Sequence, residues 1–349
     1  MESLELLRKL SDAFGVSGFE DEVRGLIQEM ITPFAGETRI DTLGNLIATK
    51  RGRGDFKLML DAHMDEIGLM ISFIEEDGYL RFTTIGGWDE RILPAHAVTI
   101  LTREHGKVRG VIGTAPPHIL TKEERERPLK LEEMFIDIGS SARQEVGEVG
   151  IRVGDPAVVH YPFESLTENC VRGKALDDRV GCAVMVKVLE HLQDEELSLT
   201  LICNFAMGEE VGLRGAQTAA YQIQPDLAIA LEGTIGADMP GVAKHKQPVV
   251  LGRGPALTVA DRSIIVNRRL LAALERAAEE IGVSYQYKMP TYGSTDAGAI
   301  HLTRGGIRAA VVSVPCRYIH SPHSLMRLDD FEATVRLIAE FIRRCPDRS

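Results

Sequence analysis

Aromatic residues are scarce in this chain, 5% of 349 residues, and Trp88 is the only tryptophan. A groove that holds sugars on stacked rings has little to build from. Cysteine is sparse too. Cys170, Cys182, Cys203, Cys316 and Cys345 are odd in number, widely spaced and form no CxxC. That argues against a disulfide scaffold or a thiolate metal site, and fits free thiols in a reducing cytoplasm. No stretch approaches the roughly 18 consecutive apolar residues of a membrane span. The start, MESLELLRKL, is amphipathic and acidic and lacks the basic beginning and apolar run of a signal peptide. Basic excess is missing as well. A formal net charge of −11 argues against nucleic acid or an anionic membrane as partner.

What remains is ordinary for a globular enzyme: 44% hydrophobic and 26% charged residues. The length suits one large or two medium domains with a real core. Leu4, Leu7, Leu10 and Phe14 predict an opening helix that stops at Gly15. Ser17-x-x-Glu20 reads as a capping box for a second helix through Met30. Thr38–Lys50 reads as a hairpin turning at Leu43-Gly44-Asn45, and Phe56–Ala62 as a buried strand that delivers His63-Met64-Asp65.

From Glu66 to Phe163 the pattern is one of short β-like runs and Gly-rich turns, with a short helical stretch near Ser141–Glu148. This predicts a small β-barrel or sandwich, residues 67–163, inserted into a discontinuous catalytic domain of residues 1–66 and 164–349. The charge run in Thr121–Lys130 reads as a solvated loop. After Phe163 an α/β rhythm returns. Asp178–Leu192 is apolar on nearly every face, so that helix is buried. Strands are predicted at Leu197–Ala206, Asp226–Leu231 and Arg308–Val314. An amphipathic helix follows from Val266 to Ile281, and Asp329-x-x-Glu332 reads as the cap of a last helix. The fold class expected is α/β, a three-layer α/β/α unit carrying the inserted barrel-like domain.

In an open α/β sheet, ligands bind beyond the carboxyl ends of the strands. His63, Glu210, Glu232 and His320 each follow a predicted strand, and Asp177 opens the buried helix. Singly, each has a plain reading: a strand-end histidine, an N-cap pair at Asp177-Asp178, a solvated turn at Glu209-Glu210. Gathered at one edge, four carboxylates repel one another unless their pKa values rise or cations join them. Histidine with carboxylate suits zinc, cobalt or manganese. Two cations sharing one carboxylate make a dinuclear hydrolase centre. Asp177 would bridge, with His63 and Glu232 on one metal and Glu210 and His320 on the other. Asp65 could accept the other ring N–H of His63. Glu209 would act as general base and then protonate the leaving amine.

His63-x-Asp65, Ala-Leu-Asp177-Asp178-Arg, Glu209-Glu210-Val-Gly, Glu232-Gly-Thr and Arg317-Tyr-Ile-His320-Ser-Pro, in this order and spacing, resemble the tetrahedral aminopeptidase family. Its relatives include glutamyl aminopeptidases and proteins once labelled cellulase M. The resemblance spans essentially the whole chain. It implies a dinuclear zinc or cobalt aminopeptidase acting on short peptides, and a cis peptide after Asp177. It also implies an inserted domain that mediates homo-oligomers, often a hollow dodecamer built on dimers. Many relatives have Asp where this chain has Glu232, one methylene longer. Gly293-Ser-Thr-Asp296-Ala also resembles a family stretch, with Asp296 beside the substrate or behind the ligands; it could equally cap the following helix. Three alternatives stand beside this reading: another dinuclear amide hydrolase (a deacetylase or dipeptidase), a glycoside hydrolase of the endoglucanase type, and a structural metal-binding protein.

Overall fold

The structure is a computed structural model that describes residues 1–289 and 292–345. Helices α1 (Ser3–Asp12) and α2 (Asp21–Ile31) open the chain, and Leu6, Leu7, Leu10, Val23 and Ile27 are buried. The hairpin β1 (Glu37–Ile40) and β2 (Leu46–Lys50) is antiparallel. One carboxylate shapes its turn: Asp41 Oδ1 accepts the N–H groups of Leu43, Gly44 and Asn45, each at 3.0 Å. Gly44 takes φ +108°, which side-chain-bearing residues resist. Strand β3 (Lys57–His63) follows.

Six short strands come next: β4 (Gly68–Ile74), β5 (Leu80–Ile85), β6 (Ala97–Leu101), β7 (Lys107–Gly113), β8 (Phe135–Asp137) and β9 (Pro156–Val159). They close into a barrel in the order β4-β5-β8-β7-β6-β9. Closure leaves no free sheet edge. Leu69, Ile71, Leu80, Ile100, Ile112 and Ile136 fill its interior. Two short helices, α3 (Lys122–Glu126) and α4 (Arg143–Glu148), lie between its strands.

The ribbon β10 (Glu164–Thr167) and β11 (Cys170–Gly173) leads into helix α5 (Leu176–His191). Then come β12 (Thr200–Ala206), α6 (Arg214–Ile223), β13 (Leu227–Gly236), β14 (Ala256–Thr258), α7 (Arg268–Glu280) and β15 (Gln286–Lys288). The chain ends with α8 (Ala297–Ile300), β16 (Arg308–Arg317), β17 (Ser324–Arg327) and α9 (Leu328–Arg344). An 11-stranded sheet runs β1-β2-β12-β3-β13-β16-β17-β11-β10, with β14 on β16 and β15 on β14. Its centre, β12-β3-β13-β16, is parallel. Parallel strands need cover on both faces, which is why they read as unbroken apolar runs. Helices α1, α2, α5, α7 and α9 cover one face; α6 and α8 cover the other, on Met59, Ala228, Ala230 and Val311. The molecule is thus the expected three-layer α/β/α unit with a closed barrel.

Several local expectations need correction. Helix α1 stops at Asp12, so Phe14 is buried from the segment beyond it. The Ser17–Glu20 capping box does not form. Ser17 Oγ donates instead to Asp65 Oδ2 at 2.6 Å, and Glu20 Oε1 accepts from Gly18 N and Gly208 N at 2.9 and 3.2 Å. Long-range partners outcompete the local cap. The Asp329 box is absent too, because α9 begins at Leu328 and the Asp329 carboxylate pairs with Arg327. The charge run at 121–130 is exposed as expected, but it holds α3, with Thr121 and Glu124 capping reciprocally. Strand β13 does not stop at Leu231. It continues through Glu232 to Gly236, paired with β16 throughout.

Candidate active site

The site lies where the sheet opens. Strands β3 and β13 pair only as far as Asp61↔Ala230, then part. Asp178 fills the gap: Oδ2 accepts His63 N at 3.1 Å, while Oδ1 accepts Gly233 N at 2.9 Å and Gly181 N at 3.0 Å. One buried carboxylate replaces the missing ladder bonds and fixes the spacing of the two strands. Gly181 is required for that approach, because a Cβ there would sit 2.4 Å from Leu231 O and 2.5 Å from Asp178 Oδ1. The Asp177–Asp178 peptide is cis, as the resemblance implies, and both residues depart from helical dihedrals.

All five proposed ligands and Glu209 meet in this crevice. His63 ends β3 and is 2% exposed. Its Nε2 lies 3.7 Å from Asp177 Oδ1, 3.8 Å from Glu232 Oε2 and 3.8 Å from Glu209 Oε2. His320 Nε2 lies 3.2 Å from Glu210 Oε1 and 3.5 Å from Asp177 Oδ2. Its Nδ1 is 2.8 Å from Gly87 O, in the turn after β5. A carbonyl only accepts, so Nδ1 carries a proton, and in the neutral ring the lone pair is the one at Nε2. The barrel segment thereby orients a side chain of the crevice.

Asp65 organises the far side. Oδ1 accepts Glu209 N at 3.0 Å, and Oδ2 accepts Glu210 N at 3.2 Å. His63 Nδ1 is nearer the Asp65 backbone oxygen, 3.1 Å, than its carboxylate, 3.4 Å. The expected carboxylate–imidazole contact is therefore shared with the main chain. Asp296 is buried and neither lines the cavity nor caps α8; Thr295 lines it instead. Sequence reasoning missed Ser17, Glu20 and the bridging role of Asp178. It also missed a buried ion cluster behind the site. Lys174 Nζ is 2.6 Å from Glu66 Oε1, and Arg179 donates to Glu66 and to the carbonyls of Met64, Leu10 and Gly15. The available signal was a charged residue, Arg179, followed by the apolar run Val180–Val186 of a buried helix.

Among the described residues, three overlapping groups bring His and carboxylate atoms within 4.8 Å of one another: His63–Asp178–Glu232, His63–Glu209–Glu210 and Asp177–Glu210–His320. Asp178 is already committed to three backbone N–H groups. The electrostatics suit positive charge. Burial raises the Glu232 carboxyl well above the usual range, with Asp178 close by. Burial, opposed by His63 and reinforced by Glu210 and Asp177, pushes Glu209 up to about 8. Burial disfavours charge on His320, yet Asp177 and Glu210 override it and raise the ring to about 11. The imidazoles are thus drawn toward the cationic form by a surplus of carboxylate. Among the described residues the buried Glu232 Oε1 has no hydrogen-bond partner. An orphaned carboxylate oxygen among histidine nitrogens and other carboxylates is a donor set that fits hard or borderline divalent cations. Beside these residues opens a cavity of about 720 Å³. Its walls include Leu213, Thr234, Met239, Lys288, Tyr292 and Thr295.

The chain is similar to known proteins over nearly its whole length. Residues 44–337 match the family described as M42 glutamyl aminopeptidase. A lysyl aminopeptidase of Pyrococcus furiosus is 34% identical over 337 residues, 95% of this chain and 94% of its own. A TET aminopeptidase from a Thaumarchaeota archaeon of marine sediment superposes with a TM-score of 0.95 at 38% identity, over 98% of this chain and 96% of that one. The TET1 peptidase of Pyrococcus horikoshii, which can assemble into a tetrahedron or a large octahedral shell, superposes with a TM-score of 0.88 at 34% identity, over 98% and 99%. The sequence match spans both the barrel strands and the parallel sheet, and on that ground the chain belongs to the M42 glutamyl aminopeptidase family.

Proposed function

We propose that this chain removes N-terminal residues from short peptides and works with two divalent cations that share Asp177. One observation carries the reading: the two oxygens of Asp177 face different histidines, His63 at 3.7 Å and His320 at 3.5 Å. His63 and Glu232 would complete the holding of one cation, and Glu210 and His320 the other. Zinc and cobalt suit these nitrogen and oxygen donors best, and manganese also fits. Bound there, the cations would polarise the scissile carbonyl and make water more acidic.

The protein's own part is positioning and proton transfer. Glu209 is held by its backbone N–H on Asp65, which leaves its carboxylate 3.8 Å from His63 Nε2. At that place a carboxylate oxygen can take the proton of the attacking water and pass it to the departing nitrogen. Asp65 and Asp178 fix the geometry through backbone N–H groups rather than by touching substrate.

Aminoacyl-p-nitroanilides with added zinc, cobalt or manganese test the reading. Steady release of the free amino acid is expected, lost when the N-terminus is acetylated or the cations are chelated. Turnover of acetylated substrates at equal rate would favour a deacetylase or another amide hydrolase. The glycoside hydrolase alternative has less to stand on: Trp88 donates its indole N–H to Gly68 O at 3.0 Å and is fixed against the barrel.

We also propose that residues 67–163, the barrel segment, mediate assembly of several copies, as a homo-oligomer built on dimers, with a dodecamer one such form. Multi-angle light scattering at micromolar protein should give a mass several times 38.4 kDa. A monomer under those conditions would contradict this.

A further inference from the structure

The barrel touches the loop that carries His320 at Gly87, and again at a cluster of rings around His323, in the turn between β16 and β17. The His323 ring centroid lies 4.3 Å from that of Tyr161, edge to face, and 5.5 Å from that of His96. His96 precedes β6, and Tyr161 follows β9. The pairing of these strands, Val98 opposite Val159, continues as His160 N donates to Ala97 O at 2.8 Å. His96 and Tyr161 therefore stand side by side at the barrel's end. Ile112 N donates to His96 O at 2.9 Å and fixes His96 to β7. Across the joint, Ser321 Oγ donates to Tyr318 O at 2.6 Å and accepts His323 N at 3.2 Å. That turn couples His323 to the segment that holds His320. Among the described residues, no hydrogen bond or ring contact joins His323 to a proposed cation ligand.

We infer that the packing of His323 on His96 and Tyr161 positions His320, and that acid releases this contact. The charges around the cluster give the direction. Arg172 stacks its guanidinium 4.0 Å from the Tyr161 ring centre and pairs with Glu164 at 2.5 Å. Burial lowers the pKa of His96, opposed by a hydrogen bond to the Ile92 backbone. Burial also lowers that of His323, reinforced by His96 and Arg172 and opposed by Glu164. At neutral pH both rings are therefore uncharged and pack face to edge without cost. A histidine whose pKa is lower in the folded than in the unfolded chain favours the folded contact above the ordinary value of about 6.5, and loses that advantage as the pH falls below it. Protonation would set two imidazolium rings against each other beside Arg172, whose charge Glu164 already answers. The joint therefore holds above about pH 6.5 and opens below it. The nearby contact at Gly87 supplies a reporter. The next residue, Trp88, is the only tryptophan of the chain, and with His320, Ser321 and Pro322 it lines a cavity of about 20 Å³.

The test is the fluorescence of Trp88 in the purified wild type, His323→Phe and His96→Gln, followed from about pH 7.5 to about pH 5.5. His323→Phe keeps a ring that packs but takes no charge, and His96→Gln removes the facing charge. The wild type should show an emission change with its midpoint below about pH 6.5, absent from His323→Phe and weakened in His96→Gln. The part of the inference that concerns activity rests on the peptidase reading above. There, kcat/KM on a leucyl p-nitroanilide should fall about 10-fold further in the wild type than in His323→Phe over the same range, while the two agree within about twofold at the upper end. Emission changes and pH profiles that superimpose in all three proteins would overturn the inference and leave the peptidase reading standing, because the proton would then act elsewhere. A loss of activity in His323→Phe that is equal at every pH would also overturn it, since that marks packing without a switch. If the emission change divides the variants as expected but no substrate is cleaved, the joint opens as inferred and the peptidase reading alone fails.

Discussion

Glu209→Gln is expected to lower kcat by about 10³-fold, within the usual range for loss of a positioned acid–base group. The substitution keeps size and hydrogen bonding but cannot take up a proton. The backbone N–H that holds residue 209 on Asp65 Oδ1 is untouched, so the site should keep its shape. KM should change little, and metal content should match the wild type. This last readout matters because His63, Glu209 and Glu210 also come within 4.8 Å as a group. A variant that loses a cation along with activity would make Glu209 a ligand rather than the base. Full activity would show that the proton passes elsewhere.

Asp177→Asn should have the larger effect on metal binding. Asp177 is the residue whose two oxygens approach both histidines, and burial surrounds it with Glu210, Glu209 and Glu232. An amide there offers one neutral oxygen and removes the shared charge. Elemental analysis should fall from two cations per chain to fewer than one, and peptidase activity should be lost. A cation that binds only the folded state raises the melting temperature in proportion to its saturation. The wild type should therefore melt higher when zinc or cobalt is added, and Asp177→Asn should not respond. A variant that still holds two cations would move the bridge to another residue.

Much of this was legible because the parallel strands advertise themselves. Runs such as Leu58–Leu60 and Ala228–Leu231 are apolar without alternation, and polar residues at or beyond their carboxyl ends stand out against them. His63, Glu210 and His320 fall where that contrast predicts. The strand before Glu232 runs on to Gly236 instead of ending at Leu231, since a strand that continues into a site has no sequence signal for where pairing with β3 ends. Ser17 and Glu20 match a local capping pattern, yet their partners, Asp65 and Gly208, lie 48 and 188 residues away. Nothing in a linear pattern reports that competition. Asp178 was hidden beside Asp177 for the same reason, because its three N–H donors come from β3, β13 and α5.

The proposal that two cations flank Asp177 is tested most directly by anomalous diffraction at the zinc or cobalt edge, from wild-type crystals grown with that metal. Two peaks are expected, one among His63, Asp177 and Glu232 and one among Asp177, Glu210 and His320. A vacant crevice, or a single peak that does not touch Asp177, would contradict the account.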